Sequence, residues 1–250
     1  MNWPRQYYRS GGGDAFLFYV VYGPVPQDFT ISGPKYRVDN IPEELEIMFY
    51  GPTSHPEVVS TFRSGYLWEE FGRKHAELAE EVGSQSECLV IKGTIPNPLD
   101  LNYLRNVVGI ITWCLDRGGL AVFDTQTFRW WTPSEWMRLI FEPASAEPTH
   151  HVMIFFSEDE DEVGSEWFHT RGMRKFGRPD LSVHGVTTDL RDAVIDLINR
   201  FIAFQAFGGI IEEGREIKMP SLPPGICTHQ GDMDDPDFNN VHVEIKLSKE

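Results

Sequence analysis

The sequence predicts an α+β protein with antiparallel or mixed sheets and helices packed on one face. Three observations point there. Strand-like stretches come in neighbouring pairs, amphipathic helical spacing falls between those pairs, and the steady β-α-β-α alternation of a doubly wound parallel sheet is missing. The order can be drawn as two β-β-α-β halves, although no residue pattern repeats between them. The expected division gives an N-terminal α+β half over 1–97 and a C-terminal α+β half over 98–250, or one continuous domain.

Each element has its own signal. After glycines 11–13, "FLFYVVYG" reads as a buried first strand, and "ELEIMFYG" as a second, ended by Gly51 and Pro52. Over 57–82 the spacing turns helical, with Val58, Phe62, Leu67, Phe71, Leu78 and Val82 three to four residues apart or close to it. "ECLVIKGTI" returns to strand. The longest helical pattern is "PNPLDLNYLRNVVGIITWCLDRGG", where Leu104, Val108, Ile111 and Leu115 share a face and Gly118 suits a left-handed cap. "LAVFDTQTFRWW" reads as a hairpin or bent strand. In "TPSEW", Thr132 caps a helix, Pro133 takes its first position and Glu135 closes a capping box. "HHVMIFF", "EWFHTRGM" and "DLSVHGV" follow as strands. A helix over 188–207 begins at Asp189 as N-cap and sets Leu190, Val194, Leu197 and Phe201 on one face. "VHVEIKL" is the last strand.

Composition narrows the classes. The chain has 250 residues, 41% hydrophobic and 13% aromatic, enough for a packed core without metal or disulfide staples. Trp113, Trp130, Trp131 and Trp136 are expected in that core. The net charge of −16, from 38 acidic and 22 basic residues, disfavours phosphate backbones and anionic membranes. The same field favours a protein partner with a basic surface. Three cysteines, Cys88, Cys114 and Cys227, are too few and too odd in number for a secreted disulfide framework. The apolar run at 15–23 lacks a small-x-small cleavage site, and no run approaches the roughly 20 residues of a membrane span. A cytoplasmic location is the expectation.

Two clusters are candidates for function. "HQGDMDDPDFNNVHVEI" near the C-terminus gathers aspartates, asparagines and histidines. An EF-hand frame begun at Asp235 fails, because Asn240 stands where glycine belongs and Lys246 where the bidentate glutamate must be. A turn leading into a strand explains the composition more simply, with Asp and Asn bonding their own backbone and Pro236 fixing φ. The alternative is a metal-assisted hydrolase using His229, Asp232, Asp234 and His242, with Cys227 and Glu244 also near. The second cluster is the basic island Arg171, Arg174, Lys175 and Arg178, the proposed binding residues. It suits an anion in a small-ligand module, or simply pairs with acids such as the "SEDEDE" loop. Cys227 beside His229, expected in a loop, is the one cysteine placed to act as a thiolate. No phosphate loop, dinucleotide fingerprint, HExxH or GxSxG motif occurs, and no cofactor is expected.

"WFHTRGMRKFGRPDLSV" and the helix after it resemble a family of uncharacterised bacterial proteins, the domain of unknown function 4261. The shared features are Thr170, Gly172, Phe176-Gly177 and Pro179-Asp180-Leu181 in this order. "LAVFDTQTFRWWTPSEW" is similar to the preceding part of such proteins, so the resemblance covers the C-terminal half to two-thirds, and the stretch after Gly208 lies outside it. It implies no catalytic residues, since the family has none established. The leading expectation is a non-enzymatic interaction protein of the immunity type, an acidic neutraliser of a basic toxin.

Overall fold

The computed structural model describes residues 1–24, 28, 30–160, 162–231 and 240–248. Clustering of the backbone divides the chain into two compact units. The first comprises Met1–Trp3, Phe16–Ile95 and Leu101–Glu147; the second comprises Pro4–Ala15, Pro96–Asp100 and Pro148–Glu250. The sequence-based division at residue 97 differs over 101–147, which belongs to the first unit, and over 4–15 and 96–97, which belong to the second. The reason for the first is that the hairpin of that segment completes the N-terminal sheet. The fold class is α+β, as the pairing of strand patterns implies.

In the first unit the elements run β1 (Ala15–Tyr22), α1 (Gly33–Tyr36), β2 (Leu45–Tyr50), α2 (Pro56–Thr61), α3 (Gly65–Lys74), α4 (Ala76–Ser84), β3 (Cys88–Ile95), α5 (Asn102–Leu115), β4 (Ala121–Asp124), β5 (Arg129–Trp131) and α6 (Pro133–Trp136). The sheet order is β2-β3-β1-β4-β5. The β4–β5 hairpin is antiparallel, with Phe123 opposite Trp130, as the sequence suggests. The capping box at Thr132 and Glu135 is present, with both reciprocal bonds made. α5 ends at Leu115, and Gly118 follows with φ +106 in the left-handed region that favours glycine. The helical pattern over 57–82 is three short helices, not one. Gly65 at φ +75 interrupts it, and His75, between α3 and α4, leaves helical geometry. The apolar spacing still works: Val59, Phe71, Ala79 and Val82 all reach one core, joined by Phe62, Leu67 and Trp68. Rings fill that core. Trp130 stacks on Phe71 at 5.0 Å and meets Phe123 at 4.8 Å and Trp68 at 5.1 Å. All four tryptophans expected inside are buried.

In the second unit α7 (Pro148–His151) precedes β6 (Met153–Glu158), β7 (Glu166–Arg171), a 3₁₀ turn at Met173–Phe176, β8 (Asp180–Val186), α8 (Arg191–Ala206), β9 (Glu216–Ile217), β10 (Gly225–Gln230) and β11 (His242–Leu247). The sheet order is β6-β7-β8-β11-β10-β9. Only the β8–β11 pair among those registered is parallel, with His242 opposite Asp180; the others are antiparallel, so this sheet is mixed. Phe168, Leu181, Val183, Cys227, Val243 and Ile245 are buried at alternating positions, and α8 packs on β8 with Val194, Leu197, Ile198 and Ile202 inside. Asp189 is not the cap of this helix. It lies in a 3₁₀ turn at Thr188–Leu190, and α8 starts at Arg191 without a side-chain cap. Among the described residues no helix is long and apolar enough to cross a membrane.

Candidate functional site

Two of the four residues of the basic island, Lys175 and Arg178, are buried within the second unit. Lys175 is wholly buried and its Nζ donates to the His151 carbonyl at 2.8 Å. Arg178 is also buried, and its guanidinium donates to the carbonyls of Gly209, Gly177 and Gly208 at 2.8–2.9 Å. Arg5 does the same from the leader, reaching the carbonyls of Ala206, Pro98 and Phe176. Arg171, half-buried at the end of β7, acts electrostatically on Asp180, while Arg174 lies in the following 3₁₀ turn. In the "SEDEDE" loop, Asp159 is tied to the neighbouring strand β8. Its side chain accepts from Gly185 N at 2.7 Å and sits 3.2 Å from His184 Nδ1. Arg178 and Arg5 turn inward for a local reason: planar guanidinium forks match carbonyls that turns leave without strand or helix partners.

Asp180 is the polar centre beneath this arrangement. Its Oδ1 accepts from Thr170 Oγ1 and Met173 N, and its Oδ2 from Asn240 Nδ2. Burial pushes its pKa up to about 6, against those hydrogen bonds and Arg171, which favour the charged form.

A groove of about 1060 Å³ lies in the second unit. Asp159, Glu162, Asp189 and Glu244 bring carboxylates to it, and prolines 220, 223 and 224 form a wall that offers no backbone N–H. Glu244 accepts from Gln230 at 3.0 Å and pairs with Lys246 at 3.3 Å. Gly185 has φ +69, and a Cβ there would come within 2.8 Å of a Glu162 carboxylate oxygen, so glycine lets this acid approach.

A row of rings leads to the groove along one sheet face. Phe155 stacks on His169 at 5.5 Å, His169 on Trp167 at 4.1 Å, and Trp167 on His184 at 5.2 Å. Register explains the row, since Phe155 lies opposite His169 and His169 opposite Ser182, whose Oγ accepts from Trp167 Nε1 at 2.8 Å. Burial, then Arg171, His184 and His242, lower the His169 pKa to about 4. His169 is therefore a neutral plate at neutral pH. His184 joins the row to the acids, because it both stacks and lines the groove.

Of the alternative metal site, His229 and His242 leave opposite faces of the β10–β11 pair and both line a smaller cavity at its end. His229 pairs with Val243 and Gln230 with His242, so adjacent-residue alternation sends His229 and His242 to opposite faces. His229 Nε2 is also held by the Ile211 carbonyl at 2.8 Å. Asp232 and Asp234, the EF-hand frame at Asp235 and the turn around Pro236 lie outside the described residues. Among the described residues no group of three His, Cys, Asp or Glu side chains could hold a metal. Cys227 is in β10 rather than a loop, fully buried, and burial pushes its thiol up to about 11, away from thiolate reactivity. Cys88 and Cys114 are buried likewise.

Trp167, His169 and His184 were not singled out from sequence. Their signal was an aromatic and polar period of two on β7 and β8, opposite the apolar period of Phe168, Leu181 and Val183. Comparison with protein-family models, with curated proteins and with solved structures returns no match.

Proposed function

We propose that this chain is a non-enzymatic binding protein that receives a Lys- and Arg-rich segment of a partner protein, as an immunity protein neutralises a basic toxin. The observation that carries the reading is the burial of two of the four island cations, Lys175 and Arg178, in a chain of net charge −16. Lys175 and Arg178 serve carbonyls inside, while Glu162, Asp189 and Glu244 bring carboxylates to the groove. A guanidinium or ammonium seated there gains charge-assisted bonds to Glu162 and Asp189, and the His184 ring also lines the groove. Membership of the family resembled by "WFHTRGMRKFGRPDLSV" is part of the same proposal; it adds no mechanism. Nucleic acid and anionic membrane fit this surface poorly, because both carry its own charge sign.

The test is calorimetric titration with a Lys/Arg-rich peptide and with a neutral peptide of equal length. The expected result is selective binding of the basic peptide, weakening steeply between low and physiological salt and reduced several-fold by Glu162→Gln with Asp189→Asn. Equal binding of the two peptides, or no effect of the double substitution, refutes the groove as the recognition site. Proteins captured from lysate at low salt must likewise be basic and must be lost by the double variant.

A further inference from the structure

One ring in the groove has an open nitrogen. The His184 side chain, on β8, is 39% exposed, whereas that of Asp159, which it meets, is 1% exposed. His184 Nδ1 stands 3.2 Å from both carboxylate oxygens of Asp159. A carboxylate only accepts, so Nδ1 carries the hydrogen, and in the neutral ring Nε2 keeps its lone pair. Trp167 covers one ring face, with centroids 5.2 Å apart and planes 12° from parallel. With Nδ1 turned to a buried acid and one face on an indole, the exposed part of the ring is the Cδ2–Nε2 edge and the second face. Among the described residues no group bonds Nε2, and the atom is open to solvent. Since His184 lines the groove, that edge is an acceptor within it.

The surroundings of this edge are anionic. A Cβ on Gly185 would fall 2.8 Å from Glu162 Oε2, which places that carboxylate against the residue following His184. Asp189 is exposed in the 3₁₀ turn after β8, and among the described residues its carboxylate has no ion-pair or hydrogen-bond partner. Lys246, the only lysine or arginine among the described lining residues, is engaged by Glu244 at 3.3 Å. Thr187, Ser221 and Ser248 bring hydroxyls, which donate or accept and so favour neither charge. An anion therefore meets carboxylates and a ring lone pair, while a cation meets both as acceptors. A guanidinium uses them more fully than an ammonium. Its five N–H groups spread from three nitrogens in one plane, so one can bond Nε2 while others face a carboxylate, and its weakly hydrated plane can lie on the second imidazole face. An ammonium directs three donors from one strongly hydrated nitrogen.

Resting on the reading of the groove as the seat of a basic segment, we propose that His184 makes it select arginine over lysine, its Nε2 accepting one guanidinium N–H while the carboxylates of Glu162 and Asp189 balance the charge. The test is calorimetric titration of the full chain with acetyl-hexaarginine amide and acetyl-hexalysine amide, joined to nitrogen NMR of the histidine rings. Hexaarginine is expected to bind several-fold more tightly, and to move the His184 Nε2 resonance upfield further than saturating hexalysine does. His184→Phe, which keeps a ring on Trp167 and removes the lone pair, is expected to bring the two affinities together while the circular dichroism stays that of the parent. Equal, measurable affinity for both peptides, or an Nε2 resonance that hexaarginine leaves unmoved, overturns the selectivity from the parent protein alone and leaves the groove reading standing. An arginine preference that persists in folded His184→Phe overturns it as well. Failure of both peptides to bind refutes the groove reading, and this inference falls with it.

Discussion

The two compact units hold themselves together by different means. The first is closed by rings: Trp130 is surrounded by Tyr22, Trp68, Phe71 and Phe123 at centroid distances of 4.8–5.3 Å. The second is tied by buried cations, with Arg5, Lys175 and Arg178 each donating to main-chain carbonyls around the Asp180 hub. Apolar packing loses stability in proportion to the volume or contact removed. Buried charge is all or nothing: a satisfied fork holds several turns at once, and a broken one leaves desolvated carbonyls behind. The second unit therefore gains fixed loop geometry around its groove and cavity, at the cost of greater sensitivity to single substitutions.

The sharpest way to break the comparison is Arg178→Met. Gly209 O loses the guanidinium, while Gly177 O and Gly208 O keep backbone donors in Gly13 N and Arg9 N, and the expected loss is about 2–4 kcal/mol by urea denaturation, with faster hydrogen exchange along β8 and β11. Arg178→Lys is expected to recover less than half, because a single ammonium cannot serve a three-carbonyl fork. A loss below about 1 kcal/mol in Arg178→Met would remove the clamp as an organising element. Trp130→Phe is the counterpart in the first unit. Trp130 Nε1 is buried without a partner, so substitution sacrifices packing but no hydrogen bond. The expected cost is smaller, about 1–2 kcal/mol by the same measurement. Should Trp130→Phe cost more than Arg178→Met, the contrast between the units is reversed.

What the sequence makes legible follows the same contrast. Period and capping expose most strands, the β4–β5 hairpin, the Thr132 box and the tryptophan core, because apolar burial writes itself as spacing along the chain. The basic island was visible as composition, but its direction was not. Whether Arg178 faces solvent or carbonyls depends on Gly208 and Gly209, thirty-odd residues away, and no local pattern records that meeting. β10 escaped because "GICTHQ" is short and mixed, and it becomes a strand only by pairing with β11. The groove was hidden for the same reason, since Asp159, Asp189 and Glu244 come from separate elements. The ring row was half-visible: "WFH" shows alternation, while its partners Phe155 and His184 need the register.

The subtlest separation of the units is by pH. In the second unit, burial lowers His169 to about 4, and burial together with Lys175 and His150 lowers His151 to about 3. Both sit below the unfolded value near 6.5, so their contribution is present above that value and is lost as pH falls toward the folded pKa. Asp180 has the opposite sign. Its folded pKa, raised to about 6, makes its contribution fullest below the unfolded value near 3.8, and that contribution fades as pH rises through 6. Acidification from 7 to 4 therefore sets two histidines against one aspartate, and net destabilisation of the second unit is expected. In the first unit, Cys88 is raised to about 11 and Cys114 to about 12 by burial, and Tyr19 and Tyr22 are raised by burial first. Those groups are neutral in the fold, so their contribution is lost as pH climbs above their unfolded values. Hydrogen exchange across pH 4–10 is expected to loosen β7 and β8 first in acid and β1 and β3 first in alkali. Asp180→Asn should steepen the acid loss, because the offsetting proton uptake is gone. It should also cost about 1–3 kcal/mol at neutral pH, since one amide hydrogen then faces a donor of Thr170, Met173 or Asn240. An acid profile of Asp180→Asn that runs parallel to that of the parent would show that this carboxyl does not take up its proton within the fold.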